Sequence, residues 1–191
     1  MRFPISHLVR RISLLCSLAA ICALAAATAP SALAAGACQS ASAMPAQAAK
    51  RTVVRATLCT INAERGRYGL APLKLNRRLS AAATAHAGDM DARNYFSHDS
   101  LGGGSFFDRI RRAGYLDGAR SWTVGENLAW GSQGRSAPAP ITRMWMNSPA
   151  HRANILSSAF REIGIGVAYG APVAGQGAPA ATYATEFGTR G

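Results

Sequence analysis

The sequence predicts an α+β domain in which the helices come first and a sheet comes last. Through most of the chain, apolar residues recur at intervals of about three or four, the period of an amphipathic helix. After Phe160 the period changes to two, because Ile163, Ile165 and Val167 alternate with glycines. Helices followed by strands favour an α+β domain, and an antiparallel sheet is the simplest way to pair these strands.

Residues 1–34 are predicted to be a cleaved signal peptide. They combine a basic start (Arg2, Arg10 and Arg11), an apolar run over 12–27 and small residues before position 35. Serines interrupt the run and no basic stop-transfer segment follows it, so a membrane anchor is disfavoured. We therefore expect a secreted protein, extracellular or periplasmic, without a transmembrane anchor after cleavage. The Arg10-Arg11 pair leaves the choice of Sec or twin-arginine export open.

The rest of the chain is predicted to be a leader (35–50) followed by one domain (51–191), since this length suits a single core. Removing three arginines with the signal peptide lowers the net charge from +12 to +9. The remaining arginines are scattered and no aromatic residues are interleaved with them. Nucleic-acid binding is therefore not expected.

Two cysteines remain after cleavage, Cys38 and Cys59. An even pair in an exported chain predicts a disulfide, which would tie the leader to the first helix. A loop of this length should contribute on the order of 3 kcal/mol of stability. The spacing offers no support for a metal or redox pair.

Two long helices are predicted first. The stripe of the first is Val54, Leu58, Ile61 and Tyr68, and Gly69 follows as a C-cap residue. The second begins after the N-cap residue Asn76 and carries Leu79, Ala83, His86 and Met90 on one face. That phase makes His86 a hydrogen-bonded core residue rather than a member of a functional site.

Shorter helices follow. Ser105 and Asp108 resemble a capping box, and Gly114 ends that helix. Residues 124–130 are either a strand or a tightly packed connection. A further helix starts near Pro138, with Ile141, Met144 and Trp145 on one side. Ser148 and Pro149 start the last helix and place His151 in its first turn, where the helix dipole discourages protonation.

The two predicted strands, 163–169 and 182–187, pair across the loop 170–180. Gly164 and Gly166 lie on one face of the first strand, which predicts that a helix packs closely there.

Three polar segments at the ends of predicted elements are the candidate site: those around His98, Glu126 and His151. Imidazole and carboxylate groups together can bind a metal or transfer protons near neutral pH. The sequence has no Gly-x-Ser-x-Gly, His-Glu-x-x-His, Walker or Cys-x-x-Cys motif. The catalytic and binding classes that depend on those motifs are therefore excluded.

Eight stretches in order make the chain resemble the CAP superfamily of cysteine-rich secretory, antigen 5 and pathogenesis-related proteins, especially its bacterial SCP-like extracellular members. They are Asn62-Ala63-Glu64-Arg65, Gly69-Leu70-Ala71-Pro72-Leu73, Asp89-Met90, Tyr95-Phe96-Ser97-His98, Gly125-Glu126-Asn127-Leu128-Ala129, residues 148–156, Gly164-Ile165-Gly166-Val167 and Phe187-Gly188. The resemblance implies an α-β-α sandwich with a central antiparallel sheet. It also implies a cavity with two histidines and two glutamates, which in some members holds zinc or another divalent metal.

His98, Glu126 and His151 match three of those four residues, and the fourth position falls near Asn147. The resemblance thus implies a cleft formed by these four residues, with a weakly bound metal on His98 and His151. Three functions stay open. The cleft could bind a metal or a small ligand, such as a lipid or cell-wall fragment. The protein could be a metal-dependent, peptidase-like hydrolase with Glu126 as the catalytic candidate, so the sequence leaves open whether it is an enzyme. It could also be a partner-binding scaffold at the cell envelope.

Overall fold

The computed structural model describes residues 38–175 and 179–191, which form a three-layer α-β-α sandwich. The predicted α+β class and the order of helices and strands are confirmed. The predicted signal peptide and the first residues of the leader lie outside the described residues.

The described residues form five α-helices and four strands. The helices are α1 (Lys50–Arg67), α2 (Arg77–Arg93), α3 (Phe106–Arg112), α4 (Pro138–Asn147) and α5 (Pro149–Ile155). The strands are β1 (Lys74–Leu75), β2 (Trp122–Ser132), β3 (Glu162–Ala168) and β4 (Ala180–Arg190). The segment for which the sequence left two alternatives is therefore the long strand β2.

The sheet has the order β1-β3-β4-β2, and its three long strands pair antiparallel as predicted. The two-residue strand β1 adds a parallel pairing with β3 at one edge. In the β2–β4 register, Glu126 lies directly opposite Glu186. This pairing determines the composition of the candidate site.

Helices α1, α4 and α5 cover one face of the sheet, here called the apolar face. Its core is one cluster that includes Val53, Ile61, Ile141, Trp145, Ile155, Ile163, Ile165, Val167, Tyr183 and Phe187. The polar atoms of its large rings are satisfied, since Trp145 Nε1 donates to the Leu128 carbonyl and Tyr183 Oη donates to the Ser136 carbonyl.

The predicted stripe of α1 is confirmed in part, since Ile61 is buried and Val54 and Leu58 pack half-buried against the core, but Tyr68 does not belong to it. The residues this helix buries are Val53, Ala56, Thr57, Ile61 and Arg65, whereas Tyr68 is 51% exposed. Arg65 is buried because its guanidinium donates to three carbonyls, those of Ala71, Ile155 and Ser157. On α4, Met144 is exposed rather than buried, and Thr142 takes the buried place. A polar residue that finds internal partners can thus replace an apolar one in the stripe.

Helices α2 and α3 cover the opposite face, here called the polar face because it carries the candidate site. The predicted stripe of α2 is confirmed, with Leu79, Ala83, His86 and Met90 all buried. Helix α2 packs closely because glycines lie beneath it. A Cβ at Gly164 would overlap the backbone carbonyl group of Leu79, and one at Gly166 would overlap that of Ala83.

Two of the three predicted N-terminal helix caps are confirmed. The Asn76 side chain accepts from the amides of Arg78 and Leu79, and Ser105 forms a complete capping box with Asp108. Ser148 precedes Pro149 as predicted, but its side chain makes no capping hydrogen bond.

The predicted disulfide between Cys38 and Cys59 is confirmed, and it attaches the leader to α1. Two hydrogen bonds add to this attachment, because Ala139 N donates to the Ala41 carbonyl and Tyr169 Oη donates to the Ala48 carbonyl. Within residues 38–175 and 179–191, no helix has the length and apolar character needed to cross a bilayer.

Candidate functional site

His98 lies in the loop after α2, where its backbone is held firmly and its ring is open to solvent. Arg109 Nη2 donates to the His98 carbonyl at 2.8 Å, and His86 Nε2 lies 2.9 Å from the carbonyl of the preceding Ser97. The His98 side chain is 55% exposed. The loop therefore presents an imidazole on a fixed backbone.

The ring of His98 is oriented by Glu126. His98 Nδ1 lies 2.7 Å from Glu126 Oε1, and Arg109 Nη2 donates to Glu126 Oε2 at 2.7 Å. Burial alone would raise the pKa of Glu126, but its hydrogen bond with His98 and the charge of Arg109 outweigh burial and lower this pKa. The same hydrogen bond raises the pKa of His98, although burial opposes it. Because Nδ1 is taken, Nε2 is the nitrogen that remains for a ligand.

A second glutamate, Glu186, lies opposite Glu126 across the β2–β4 pairing. Its side chain is completely buried, and its Oε1 is 4.0 Å from Arg109 Nε. Within the described residues, neither of its carboxyl oxygens has a hydrogen-bond partner. Burial and the neighbouring charge of Glu126 raise its pKa well above the ordinary value. These directions favour a proton on Glu186 and a negative charge on Glu126, which lies beside Arg109.

His86 is buried and hydrogen-bonded, as its helical phase predicts. Its position is more specific than that of an ordinary core residue, because Nε2 also lies 3.9 Å from Glu126 Oε2. Burial lowers the pKa of His86, so the ring is neutral at physiological pH. The His86 ring therefore lies beneath the polar cluster formed by His98, Arg109, Glu126 and Glu186, and it is not itself exposed.

His151 occupies the first turn of α5, as predicted. Its pKa is lowered, which is the expected direction, but the largest cause is burial and the second is the positive charge of nearby His98. The helix is tied to β2 beside Glu126. Asn127 Nδ2 donates to the His151 carbonyl, and Asn154 Nδ2 donates to the Glu126 carbonyl. These bonds hold His151 and Glu126 in a fixed relation.

An apolar pocket of about 270 Å³ adjoins this arrangement. Its lining includes Phe96, Leu128, Trp130, Met144, Trp145 and His151. Phe96 and Met144 are unusually exposed for large apolar side chains, at 45% and 41%. An imidazole at the edge of an apolar pocket suits a ligand that has a polar group and an apolar body.

Asn147, at the position where the resemblance places the fourth site residue, lies elsewhere. It is exposed at the end of α4 and lines a different pocket together with Met146, Pro149 and Arg152. The glutamate that stands beside Glu126 is instead Glu186, on β4.

The donor set fits at most an open, weak metal site. Among the described residues, no group of three or more His, Cys, Asp or Glu side chains is placed to hold a metal ion. Both oxygens of Glu126 are already bonded, one to His98 and one to Arg109. His98 Nε2 and His151 are the nitrogens that remain, and a usual catalytic zinc site has three protein ligands.

Sequence reasoning missed two members of the cluster, Arg109 and Glu186. Glu186 could have been noticed from the sequence alone. In the alternation of this strand it lies on the face opposite Tyr183 and Phe187, with the glycines and alanines, where a carboxyl group is unusual. Nothing in the sequence distinguishes Arg109, since it is one of several arginines on α3.

Comparison with known proteins agrees with this fold. The family profile described as "CAP: Cysteine-rich secretory protein family" matches residues 58–177. YkwD of Bacillus subtilis (strain 168) is 42% identical over 105 residues, which cover 55% of this chain and 38% of that protein. The membrane protein YlbC of the same organism is 36% identical over 106 residues, covering 56% and 29%. The matched region thus spans well under half of either relative.

Solved structures show the same fold. An extracellular protein with an SCP domain from Bacillus anthracis str. Ames matches with a TM-score of 0.56 and 27% identity, covering 73% of this chain and 43% of that one. An outer surface protein of Borrelia burgdorferi matches with a TM-score of 0.54 and 20% identity, covering 69% and 87%. At that identity the second match supports the fold alone.

Proposed function

Because this chain belongs to the cysteine-rich secretory protein (CAP) family, we propose that it is an exported member whose cleft binds a small ligand at His98 and His151. The polar group of the ligand meets the two imidazoles, and its apolar part enters the pocket beside Phe96 and Trp145. The observation that carries this proposal is the position of His151. It lines the apolar pocket, and hydrogen bonds of Asn127 and Asn154 join its helix to the strand of Glu126, the residue that is bonded to His98.

Export is supported by three independent features. The sequence has a signal-peptide pattern over 1–34, the structure has the Cys38–Cys59 disulfide, and the similar SCP-domain protein of Bacillus anthracis is described as extracellular. Disulfides persist in oxidising compartments and are rare in the cytosol. Protein recovered from outside the cytoplasm should begin at Ala35.

An acidic ligand suits the two histidines best. The raised pKa of His98 keeps this exposed ring partly charged near neutral pH, whereas the lowered pKa of His151 leaves a neutral ring beside it. A carboxylate or phosphate group can accept a charge-assisted hydrogen bond from His98 and a hydrogen bond from the neutral ring of His151. Lipids and cell-wall fragments both combine such groups with larger bodies.

We include a weakly bound divalent metal such as zinc as a second occupant of the same two nitrogens. The Glu126–His98 contact is the carboxylate–histidine arrangement that orients metal-binding imidazoles. A bound divalent metal would supply a Lewis acid for a ligand oxygen. With two protein ligands the affinity should be micromolar or poorer and should decrease as pH falls and the imidazoles protonate.

A hydrolase is the second candidate, and one observation favours it. The environments of His98 and His151 shift their pKa values in opposite directions, which is how adjacent groups are divided into an acid and a base. Glu126 is not favoured as the group that activates water, because its side chain is 1% exposed and both oxygens are bonded. In this candidate Glu126 positions His98, and His151 is the base.

Two titrations test the proposal on the oxidised mature protein. Octanoate, an acidic probe with an apolar chain, should change the fluorescence of the tryptophans in the pocket, and zinc should bind in calorimetry. His98→Ala and His151→Ala should each weaken both ligands by tenfold or more, since each removes one of two polar contacts. Asn147→Ala is the matched control, because it is exposed beside α5 but lines another pocket.

Unchanged octanoate affinity in both histidine variants would overturn the ligand site and leave the partner-binding scaffold as the better function. A hydrolytic activity that is lost in His151→Ala and retained in Asn147→Ala would favour the second candidate.

A further inference from the structure

Ser148 is the N-cap residue of α5, but its hydroxyl group takes no part in capping this helix. An N-cap serine usually accepts a hydrogen bond from the second or third helical amide. Among the residues that the structure describes, the Ser148 hydroxyl has no hydrogen-bond partner. This side chain therefore contributes no hydrogen bond to α5 and is free to rotate.

The hydroxyl belongs to a residue that lines the same apolar pocket as His151. The other residues of the lining are apolar or aromatic, and Nε1 of Trp145 already donates to the Leu128 carbonyl. Ser148 and His151 thus supply the hydroxyl and the imidazole that this pocket presents to a ligand.

The geometry of a helix start brings these two side chains together. Ser148 is the N-cap residue and His151 is the third residue of the helix. These are the two positions of a capping box, whose side chains reach one another. At the same positions of α3, Ser105 Oγ lies 2.9 Å from Asp108 Oδ2. On α5 the third residue is an imidazole, so rotation about the Ser148 Cα–Cβ bond carries the hydroxyl towards that ring.

A serine hydroxyl within reach of an imidazole is the nucleophile and base pair of acyl transfer. The helix that carries His151 is fixed to the sheet, because Asn127 Nδ2 donates to the His151 carbonyl at 2.9 Å. The base therefore stands on a rigid element while the hydroxyl can turn between the ligand and the ring.

We propose that Ser148 is a nucleophile and that the substrate is an ester of an acid with an apolar chain. The proposal deepens the hydrolase candidate and rests on the ligand pocket proposed above, because the acyl chain occupies the place of the free acid.

The reaction has two steps. Ser148 Oγ bonds to the carbonyl carbon while His151 takes the hydroxyl proton, and the bond to the alcohol oxygen breaks as His151 returns this proton to the departing alcohol. Water then attacks the acyl-serine and gives a proton to His151. That proton returns to Ser148 Oγ as the carboxylic acid leaves.

A fluorophosphonate with an octyl chain tests the proposal on the oxidised mature protein. It reacts with activated serine hydroxyls, loses fluoride and leaves a stable phosphonyl group. Peptide mass spectrometry should find this group on Ser148. The same protein should hydrolyse p-nitrophenyl octanoate, with a burst of p-nitrophenol as the acyl-serine forms.

Ser148→Ala should abolish labelling and lower the hydrolysis rate at least about a hundredfold. It should keep the wild-type melting temperature and octanoate affinity, since the hydroxyl makes no hydrogen bond in the helix. Ser158→Ala is the matched control. Ser158 is exposed just beyond the other end of α5 and does not line the pocket, so this variant should be labelled on Ser148 at the wild-type rate.

Two results would overturn the nucleophile and leave the ligand site in place. One is octanoate binding without a phosphonyl group on Ser148, and the other is labelling or hydrolysis that persists in Ser148→Ala. Failure of octanoate to bind the wild-type protein would overturn the ligand site itself, and the ester substrate with it.

Discussion

The two faces of the sheet are built on different principles. The apolar face buries Trp145, Tyr183 and Phe187 against α1 and α4, and the polar atoms of Trp145 and Tyr183 are satisfied by backbone carbonyls. The polar face buries glycines and alanines under α2, together with Glu126 and Glu186. One face is a conventional core and the other places charged groups beneath an exposed histidine.

The difference indicates which face supplies stability and which supplies function. Large rings contribute hydrophobic burial that is insensitive to pH. Buried charges cost desolvation energy and stabilise only when each is paired. The small residues on the polar face bring α2 close enough for His86 to reach Glu126, and Arg109 then compensates the carboxylate.

Removing the largest ring of the apolar face should have the largest effect. Trp145→Ala should lower the free energy of unfolding by about 4 kcal/mol, from the lost burial and the cavity left behind. The loss should be the same at pH 5 and pH 8, as measured by urea denaturation. Trp122→Ala is the control. Trp122 is 48% exposed and contacts Phe107 with the two rings tilted, so its removal should cost about 1 kcal/mol. A strong pH dependence for Trp145→Ala would contradict the distinction between the faces.

On the polar face, Arg109→Met should cost about 3 kcal/mol near neutral pH, because it leaves the buried Glu126 without its cation. The loss should become smaller in acid, where Glu126 can protonate. Arg111→Met on the same helix should change stability by less than about 0.5 kcal/mol, since its pair with Asp108 is exposed. A loss for Arg109→Met that is equal at pH 4 and pH 8 would mean that packing, not charge, is what Arg109 contributes.

The disulfide contains no group of either sheet face, and its contribution to the free energy of unfolding should not depend on pH. Replacing Cys38 and Cys59 together with serine should cost about 3 kcal/mol, because the cross-link closes a loop with a separation of 21 residues. Reduced wild-type protein should show the same loss in thermal denaturation. Intact mass spectrometry should find the exported protein two hydrogens lighter than its reduced form, and free thiols in that protein would contradict the assignment.

The last expected effect is a gain in stability. The pKa of Glu186 is raised above the ordinary value of 4.5, so above that pH the folded state keeps a proton that the unfolded state has lost. Glu186 therefore makes stability fall as pH rises from about 4.5 towards its raised pKa. Glu186→Gln cannot ionise and should match the wild type at pH 4, and its advantage should grow by about 1.4 kcal/mol for each pH unit above 4.5 until the raised pKa is reached. Urea denaturation across this range measures the difference, and a gain that is already present at pH 4 would contradict the cause.

Much of the fold could be predicted because its signals are local. The stripe of α2, its Asn76 cap and the capping box of α3 each depend on residues within a few positions of one another. The C-terminal end of the α1 stripe could not be predicted, because Arg65 is buried by carbonyls of Ala71, Ile155 and Ser157, the last two far along the chain. The candidate site divides in the same way. His98, Glu126 and His151 stand in recognisable segments, whereas Glu186 and Arg109 join the cluster only through the packing of β4 and α3.

By itself, the sequence determined the order of the five helices and of β3 and β4, the cysteine pair and the glycines on which a helix packs, whereas it left the type of β2 open and did not predict β1. Periodicity and turn residues encode these features locally, and an exported chain with two cysteines leaves one pairing. Only the tertiary structure decided that Glu186 lies opposite Glu126, that Arg109 balances them and that Asn147 lies in another pocket. Those relations depend on strand register and on how helices are placed over the sheet, and a shift of one residue in the register would separate the two carboxyl groups onto opposite faces.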